Sequence, residues 1–577
     1  MKLKLIPILT VLAILATVTA CYEMEQIVDL NARKKDSGTI VKELFQGAAI
    51  GGINGINFGP DGNLYVASFK SQSITALNPQ NGKVVKKLGP MEGTISPDDL
   101  AFGPDGSLYW TDIMVGEVVR MKPDGSVTRQ FVALGVNPIT FSKDGRLIVG
   151  LCFQGDGLYE LDPDLIAPPR QIIASTEPNP FPLGFLNAFD FCDQDGMLYG
   201  PIFAGGIVVK VDIGEPGDPV STDPYSDGTV QVISTGFTVP VAAKFDKKGV
   251  LHVLDQSGEI FKVNIKTGEK TLLTKIEEGL DNLAFDEKGR LFVSNADFGT
   301  VVEILPSGQP RVISRGGMIG PGGMAVLPGK NGQDDLFIAD LFRLRQHSGQ
   351  TGKEINVFKG DLLARPGLLT TPFTVSADGS NLIISSWFGA VVQIWNPETD
   401  QVLQSYPVGA PIDAIRFKGK IAVSDLVLGG VIFAEDQSMI MPIDNTNVFA
   451  PSGLATDGET LWVADWGTGI VWQIDFSGNT PQTPSVLATG LSNPEGLAWD
   501  KKGGLLVVEA GASRLSRIDI STKAVSPVAE GLELSPNPIG LGAYPPSWQF
   551  DGVTVGQSGD IYVSGGAKQA VYRISKY

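Results

Sequence analysis

INGINFGPDGNLYVAS, residues 53–68, is the stretch that decides the fold. Alternating apolar residues enter a Gly/Asp turn and leave it in a second alternating run, which is typical of a β-hairpin. A closely similar stretch, DDLAFGPDGSLYWTD, follows at residues 98–112. The chain is therefore expected to consist of a repeated β unit.

Glycines at the tips of such hairpins recur along the whole chain. Consecutive turn glycines lie 39 to 56 residues apart, close to the roughly 40 to 50 residues of a four-stranded propeller blade. The twelve are Gly62, Gly106, Gly145, Gly196, Gly249, Gly289, Gly332, Gly379, Gly419, Gly458, Gly503 and Gly559. Each hairpin supplies strands A and B, and two further runs supply C and D. Because period-two alternation dominates over helical periodicity, the sequence predicts an all-β protein.

Length and composition limit the class of protein. A chain of 577 residues is longer than one ordinary domain, so two or more domains are expected. The composition, 43% hydrophobic and 19% charged, is that of a globular protein. A formal net charge of -18 without a cluster of Lys and Arg argues against a nucleic-acid partner.

The N-terminal segment has the pattern of an export signal. MKLK is followed by an apolar run from Leu5 to Val18, which ends at VTAC. This end resembles a bacterial lipobox, so residues 1–21 are predicted to be a lipoprotein signal peptide with acylation at Cys21 and residues 22–37 a tether. Tyr22 in place of Asp favours the outer membrane, and the lipid bilayer is a predicted partner. A plain signal peptide or an uncleaved anchor is the alternative.

The order of the strands divides the chain in two. Residues 39–46 (TIVKELFQ) and 311–315 (RVISR) each resemble a D strand, and the C-terminus supplies B and C strands without a D. We therefore predict two tandem six-bladed β-propellers, 38–307 and 308–577, each closed by its own first strand. In the alternative topology, residues 39–46 close the second ring by pairing with Tyr572 instead of Val302.

One register of strand A is unusually polar. In the first half it holds Asn54, Asp98, Asn137, Asn187, Val241 and Asp281, and in the second Gly322, Thr371, Asp413, Ser452, Glu495 and Asp551. Asn and Asp are depleted in strands, so their presence around one mouth of a central channel needs a reason. A hard cation, best Ca²⁺, held by oxygen ligands is one. A water-filled channel in which these side chains cap loop backbone is the other.

Three strand-A segments resemble a known family. They are INGINFGPDGNLYVAS, NPEGLAWD (493–500) and FDGVTV (550–555), and they are similar to segments of gluconolactonase/regucalcin-like and related NHL-type propellers. The resemblance implies one divalent cation held by Glu, Asn and Asp, with the Asp as general base. Asn54, Asn137, Asn187 and Asp281 match in the first half, and Glu495 and Asp551 in the second.

These observations define the predicted site residues. The predicted metal ligands are Asn54, Asn137, Asn187, Asp281, Asp413, Glu495 and Asp551, and the predicted catalytic residues are Asp281 and Asp98. Large side chains that follow B strands, namely Phe298, Trp387 and Trp466, and the strand-ending Asp112 are predicted to form a ligand-binding rim. Packing between blades is the alternative for this rim.

Two functions are compatible with the pattern. The first is an exported, lipid-anchored, metal-dependent hydrolase that opens a lactone or ester in the central channel, with Asp281 or Asp98 taking a proton from water. The second is a non-catalytic surface propeller that binds a polysaccharide, a sugar or an envelope protein.

The few histidines and cysteines restrict the chemistry further. His252 and His347 are the only histidines, too few for a multi-histidine zinc site. His252 is expected to be packed within a strand and His347 to be exposed. Cys152 and Cys192 are expected to be buried thiols, with a disulfide between them as the alternative.

Overall fold

The turn glycines seen in the sequence join pairs of antiparallel strands. At the first hairpin, Gly62 has a φ of 74°, in the left-handed region that glycine adopts without a steric penalty. The strand that follows, Leu64–Ser68, is buried at all five residues. This strand is therefore covered by neighbouring structure on both of its faces.

The computed structural model describes residues 39–362, 364–444, 446–535 and 549–575. The predicted signal peptide, Cys21 and the tether lie outside these residues. The helices in the described ranges are three 3₁₀ turns, Pro90–Glu92, Lys330–Gly332 and Ala510–Ala512. None of the described helices is long and apolar enough to cross a membrane.

In the part of the chain that the structure describes, the strands form twelve four-stranded antiparallel sheets, or blades, and one two-stranded ribbon. The inner strand of each blade, which is strand A, contacts the inner strands of the blades beside it, and these contacts close two separate rings. The protein is thus all-β and consists of two tandem six-bladed β-propellers.

Blades 1 to 6 form the first ring, and each is built from four consecutive strands. They are β2(Ile53–Phe58), β3(Leu64–Ser68), β4(Ser73–Leu77), β5(Val84–Leu88); β6(Pro97–Phe102), β7(Leu108–Asp112), β8(Glu117–Met121), β9(Val127–Phe131); β10(Val136–Phe141), β11(Leu147–Leu151), β12(Gly157–Leu161), β13(Arg170–Ala174); β14(Asp190–Phe191), β15(Leu198–Ile202), β16(Ile207–Val211), β17(Val230–Ser234); β18(Pro240–Phe245), β19(Leu251–Asp255), β20(Glu259–Val263), β21(Lys270–Lys275); and β22(Leu280–Phe285), β23(Leu291–Asn295), β24(Thr300–Ile304), β25(Pro310–Ser314).

Blades 7 to 12 form the second ring, and the last of them includes the first strand of the chain. They are β26(Pro321–Pro328), β27(Asp334–Asp340), β28(Arg343–Ser348), β29(Glu354–Lys359); β30(Thr374–Asp378), β31(Asn381–Ser386), β32(Val391–Asn396), β33(Gln401–Pro407); β34(Pro411–Phe417), β35(Lys420–Asp425), β36(Gly430–Phe433), β37(Met439–Pro442); β38(Pro451–Thr456), β39(Leu461–Asp465), β40(Ile470–Ile474), β43(Ser485–Ala488), with the ribbon β41(Phe476–Ser477) and β42(Thr480–Pro481); β44(Pro494–Trp499), β45(Gly504–Glu509), β46(Arg514–Asp519), β47(Val525–Glu530); and β48(Val553–Val555), β49(Ile561–Gly565), β50(Ala570–Ser575) with β1(Ile40–Gln46).

The N-terminal strand corrects the predicted closure. β1 pairs with β50, with Glu43 opposite Tyr572, so the prediction that residues 39–46 close the first ring is wrong and the alternative topology is the one observed. The partner of Val302 is Val312 of β25. A short turn joins β24 to β25, and such a local hairpin closes a much smaller loop than a strand from the N-terminus would. The edge of β50 is left for β1.

The same strand buries a histidine. Phe45 of β1 stacks on the His347 ring with centroids 4.0 Å apart, and His347 is 5% exposed. Its expected exposure is therefore wrong, because the sequence near His347 does not reveal the strand that covers it. His252 is buried as expected, and Cys152 and Cys192 are buried free thiols.

The two rings are held together by a buried ionic contact. The Arg343 guanidinium of the second ring, 2% exposed, pairs with Asp297 and, at 2.8 Å, with Glu278 of the first ring. The two chain passages between the rings lie side by side, since the Ala48 amide donates to the Met318 carbonyl at 2.7 Å. Pairs removed from water with good geometry fix relative position.

Truncation of Leu44 tests the role of β1. Leu44 is 8% exposed and packs in a cluster with Leu336 and Tyr562, so Leu44→Ala is expected to lower the free energy of unfolding by about 2–4 kcal/mol. Val41→Ala on the same strand, 43% exposed, should change it by less than about 0.5 kcal/mol. Tryptophan fluorescence in urea reports mainly on the second ring, because seven of the eight tryptophans lie at or beyond position 387. Equal effects of the two substitutions would contradict the assignment.

Candidate functional site

A β-bulge sets the polar register of the inner strands. In nine of the twelve blades the register between the inner strand and its neighbour shifts near the start of the inner strand. A bulge leaves residues unpaired and redirects their side chains. In the first ring the residues inside the shift include Asn54, Asp98, Asn137, Val241 and Asp281.

The structure brings the first-ring register together on one cavity. Its volume is about 120 Å³, and the first-ring register residues that line it are Asn54, Asp98, Asn137, Asn187, Val241 and Asp281. Loops of the second ring, including Leu362, Phe373, Trp387 and Phe388, line the same cavity. The cavity therefore lies between the rings, with a polar floor from the first ring and an apolar cover from the second.

Two carboxylates in the floor lack hydrogen-bond partners. Asp98 is 4% exposed, and no described residue donates a hydrogen bond to its side chain or to that of Asp281. Burial, with repulsion from Asp281, raises the pKa of Asp98 well above its usual range. Burial, with repulsion from Asp99, raises the pKa of Asp281 to about 7. Two unpartnered acids at one buried place favour a bound proton or cation.

The amides beside them complete a set of oxygen donors. Asn137 and Asn187 are 8% and 7% exposed. In the orientation that satisfies its contacts, the Asn54 amide nitrogen donates to the Gly52 carbonyl at 3.1 Å, which leaves its oxygen as the available acceptor. Within the described ranges, no group of three or more His, Cys, Asp and Glu is arranged to hold a metal ion. A cation here would rely on these amides as well as on the two acids.

Asp99, the residue after Asp98, has hydrogen-bond partners within the protein. Asp99, 2% exposed, accepts hydrogen bonds from the Asn282 side chain and the Ile139 amide, both at 3.2 Å. Burial raises the pKa of Asp99, and the positive charge of Lys244 reduces that rise. Asp99 is therefore structural, in contrast to its neighbour Asp98.

The corresponding acids of the second ring are already bonded. Asp413 accepts hydrogen bonds from the amides of Leu454 and Ala414, both at 2.9 Å. Asp551 accepts from the amides of Ser535 and Gly566. The oxygens of both carboxylates thus hold loop backbone in place, and cation ligation by Asp413 and Asp551 stays a prediction.

Lys70 brings a positive charge to the second-ring mouth. It belongs to the first ring but is 6% exposed, and its stem lies against Gly320 so closely that a Cβ there would collide with it. Glu495 accepts the Asp551 amide at 2.6 Å. Burial raises the pKa of Glu495, and Lys70 and a hydrogen bond from Trp466 oppose that rise. Glu495, a predicted metal ligand, therefore has the positive charge of Lys70 beside it.

Some of the predicted rim residues make structural contacts, and one of them lines the cavity. Asp112 is fully buried; it accepts the amides of Ile95 and Ser96 at 3.1 and 2.7 Å and pairs with Arg129. It holds the loop before its own blade, and its ligand-binding role stays a prediction. Phe298 lies 5.1 Å from the guanidinium carbons of both Arg343 and Arg345, which is packing between the rings. Of the predicted rim, Trp387 lines the cavity.

Hydrogen bonds from Ser and Thr hydroxyls join neighbouring blades and were not predicted from the sequence. Ser294 of blade 6 donates to the Asn54 carbonyl of blade 1 at 2.7 Å, and Ser564 of blade 12 donates to the Gly322 carbonyl of blade 7 at 2.8 Å. Thr111 makes the same bond to Asn137 at 2.8 Å. A Ser or Thr near the end of several B strands was the available signal. These bonds fix the bulges that carry the floor residues.

Comparison with known proteins adds likeness of structure only. No family model matches the sequence, and no curated protein matches it. A virginiamycin B lyase from Staphylococcus aureus is similar, with 12% identity and a TM-score of 0.35 over 60% of this chain and 96% of that one. A structure provisionally assigned as a gluconolactonase has 14% identity and a TM-score of 0.35 over 48% and 94%.

A third similar structure spans both rings. The extracellular domain of a proposed one-component system from B. thetaiotaomicron has 12% identity and a TM-score of 0.30 over 93% of this chain and 82% of that one. Identities and TM-scores at this level say nothing about activity.

Asp281 predicts a pH dependence of stability in chelator-treated protein. Because its folded pKa is about 7 against an ordinary 3.8, the folded state holds a proton that the unfolded chain has lost, so the free energy of unfolding should fall as pH rises from roughly 4 to 7. Asp281→Asn should remove about 2–4 kcal/mol of this fall, whereas Asp193→Asn, 71% exposed, should not. Urea unfolding at several pH values measures it, and an unchanged slope in Asp281→Asn would contradict it.

Lys70 and Glu495 are expected to be energetically coupled. Lys70→Met removes the positive charge that acts on the buried acids Asp551, Asp340 and Glu495 and should lower the free energy of unfolding by about 3–5 kcal/mol. Lys86→Met, at an exposed position, serves as the control. The double variant with Glu495→Gln should lose clearly less than the sum of the single losses. Additive losses in urea unfolding would show that Lys70 does not serve Glu495.

Proposed function

We propose that the protein is an exported β-propeller hydrolase that binds a divalent cation, most suitably Ca²⁺, at the first-ring mouth and opens a small lactone or ester there. The observation that carries this proposal is the pair Asp98 and Asp281, two unpartnered acids on one cavity between the rings. Their mutual repulsion is the kind of cost that a bound cation relieves.

The donor set suits a hard cation. Asp98 and Asp281 supply charge, and Asn54, Asn137 and Asn187 supply neutral amide oxygens on the same cavity. Calcium takes about six to eight oxygen ligands, including water, so these five side chains leave positions for water or substrate. Among the described residues that line this cavity there is no cysteine or histidine, and the absence of these usual zinc ligands disfavours zinc.

The two acids are assigned different tasks by their burial. A bound cation would polarise the substrate carbonyl and increase the acidity of water. Asp98, 4% exposed, is the deeper acid and serves as a fixed ligand. Asp281 is partly exposed to the cavity and is the group we assign to take the proton of the attacking water.

The cellular setting is part of the proposal. The lipobox-like VTAC and the apolar run before it support acylation at Cys21 and attachment to the lipid bilayer in the cell envelope. The outer membrane or the periplasmic or extracellular face is the proposed location.

Binding without catalysis is the second candidate. The apolar cover of the cavity, with Phe373, Trp387 and Phe388, supports a propeller that holds a small molecule and does not transform it. A volume of about 120 Å³ is too small for a polysaccharide, so a polysaccharide or envelope-protein partner would have to use the outer surface.

Calcium titration of the chelator-treated protein tests the proposal. We expect one binding site by calorimetry, with affinity reduced about 100-fold or more in Asp98→Asn and Asp281→Asn. Glu495→Gln, which removes the acid at the same register of the second ring, should retain the site. Loss of calcium binding in Glu495→Gln alone would place the cation in the second ring and contradict this proposal.

Hydrolysis of simple lactones then separates the two candidates. Calcium-dependent turnover that is lost in Asp281→Asn supports the hydrolase. Binding of calcium and of a lactone without turnover would support the second candidate, a propeller that binds a small molecule without catalysis. No calcium binding in the parent protein would overturn the cation site itself.

A further inference from the structure

We infer that the first-ring site takes a small apolar ligand, which enters between aromatic side chains contributed by both rings. This inference rests on the proposed function in taking the first-ring acids and amides as the polar end of the site. It adds the substrate class, a compact alkyl lactone and not a sugar lactone, and it assigns selection of the substrate to apolar side chains of both rings.

The walls of the cavity have few groups that could bind hydroxyls. Phe69, Met114 and Phe153 come from the first ring, and Leu362, Trp387 and Phe388 from the second. Outside the floor register described above, the polar residues of the lining are Gln256, Asp297 and Thr371, and Asp297 is already paired with Arg343. A sugar lactone would place several hydroxyl groups against these apolar walls, where unpaired polar groups lose affinity. A ligand with one polar end and an apolar body matches this arrangement.

The size of the cavity points in the same direction. A cavity of roughly 150 Å³ lined by apolar side chains binds benzene, and the volume here is about 120 Å³. This volume accommodates about six non-hydrogen atoms, which is the size of a simple five-membered lactone. A hexose lactone has about twice as many, so part of it would lie outside this volume.

A row of aromatic rings leads from the surface to the cavity. Phe181 is 55% exposed and lies 5.3 Å from Phe185, which lies 5.6 Å from Phe153. Phe153 lies 6.3 Å from Phe388 of the second ring, and Phe388 is 37% exposed. We name Phe181, Phe185, Phe153 and Phe388 the aromatic seam. Exposed apolar residues continuous with a cavity are typical of a binding entrance.

Two members of the aromatic seam have an uncommon backbone conformation. Phe153 and Phe185 have φ values of 65° and 68°, a region that bulky residues rarely occupy. Such conformations persist where the surrounding structure holds them and often mark functional positions. Here the side chains of Phe153 and Phe185 pack against the same cluster of buried residues as Leu362 of the second ring. The alkyl tail of a ligand would lie along this surface.

Phe388 is the residue chosen for the test. It lies in the turn between β31 and β32 of the second ring, so it belongs to the aromatic seam and not to the acid and amide floor. Phe388→Ala is expected to lower kcat/KM for γ-hexalactone about tenfold and to leave calcium affinity unchanged. The wild type should prefer γ-hexalactone over glucono-δ-lactone by about tenfold or more. Phe131→Ala, 61% exposed on the outer strand of blade 2, is the matched control and should behave as wild type.

A binding measurement separates this inference from the hydrolase proposal. The γ-lactam analogue of γ-hexalactone resists hydrolysis, and its binding can be followed through tryptophan fluorescence, since Trp387 lines the cavity. If no lactone is hydrolysed, but the lactam binds and Phe388→Ala reduces its affinity about tenfold, the inference of an apolar ligand site is supported and the hydrolase proposal is contradicted. A preference for glucono-δ-lactone, no lactam binding, or lactam binding that is equal in Phe388→Ala and wild type would overturn the inference.

Discussion

The bulge in the inner strands is the constraint on which the site depends. A strand that pairs regularly would direct alternate side chains between the blades, where Asn and Asp could not be satisfied. The register shift redirects them to the channel. Hydroxyl groups such as Ser294 and Ser564 bond to the bulged carbonyls of the neighbouring blade, so the same contacts that close each ring also hold its polar residues in position.

The two rings use one backbone design for different purposes. In the first ring the acids Asp98 and Asp281 have no hydrogen-bond donor among the described residues. In the second ring Asp413 and Asp551 hold loop amides, and the buried charge of Lys70 lies beside Glu495 and Asp551. The first ring therefore carries the candidate chemistry. The second supplies the cover of its cavity through Trp387 and Phe388.

Local pattern predicted the fold to the level of the blade. The hairpin around Gly62 and its eleven counterparts indicated twelve four-stranded units, because alternation and turn chemistry act over a few residues. The ring that the N-terminal strand closes was predicted wrongly. That choice is a competition between a nearby hairpin, β24 with β25, and a distant edge at β50, and no local pattern reports the edge that is left open. The burial of His347 followed from the same strand and was missed for the same reason.

The first-ring polar register, from Asn54 to Asp281, was found in the sequence because Asn and Asp are unusual in strands. The sequence by itself thus determined the all-β class, the blades and the candidate residues of the first mouth. It did not distinguish an available carboxylate such as Asp98 from a bonded one such as Asp112 or Asp551. Only the tertiary structure decided that, together with the lysine of one ring in the mouth of the other and the aromatic cover of the cavity. Those contacts join residues far apart in the chain, and a side chain's hydrogen-bond partners and burial are set by such neighbours and not by its own sequence.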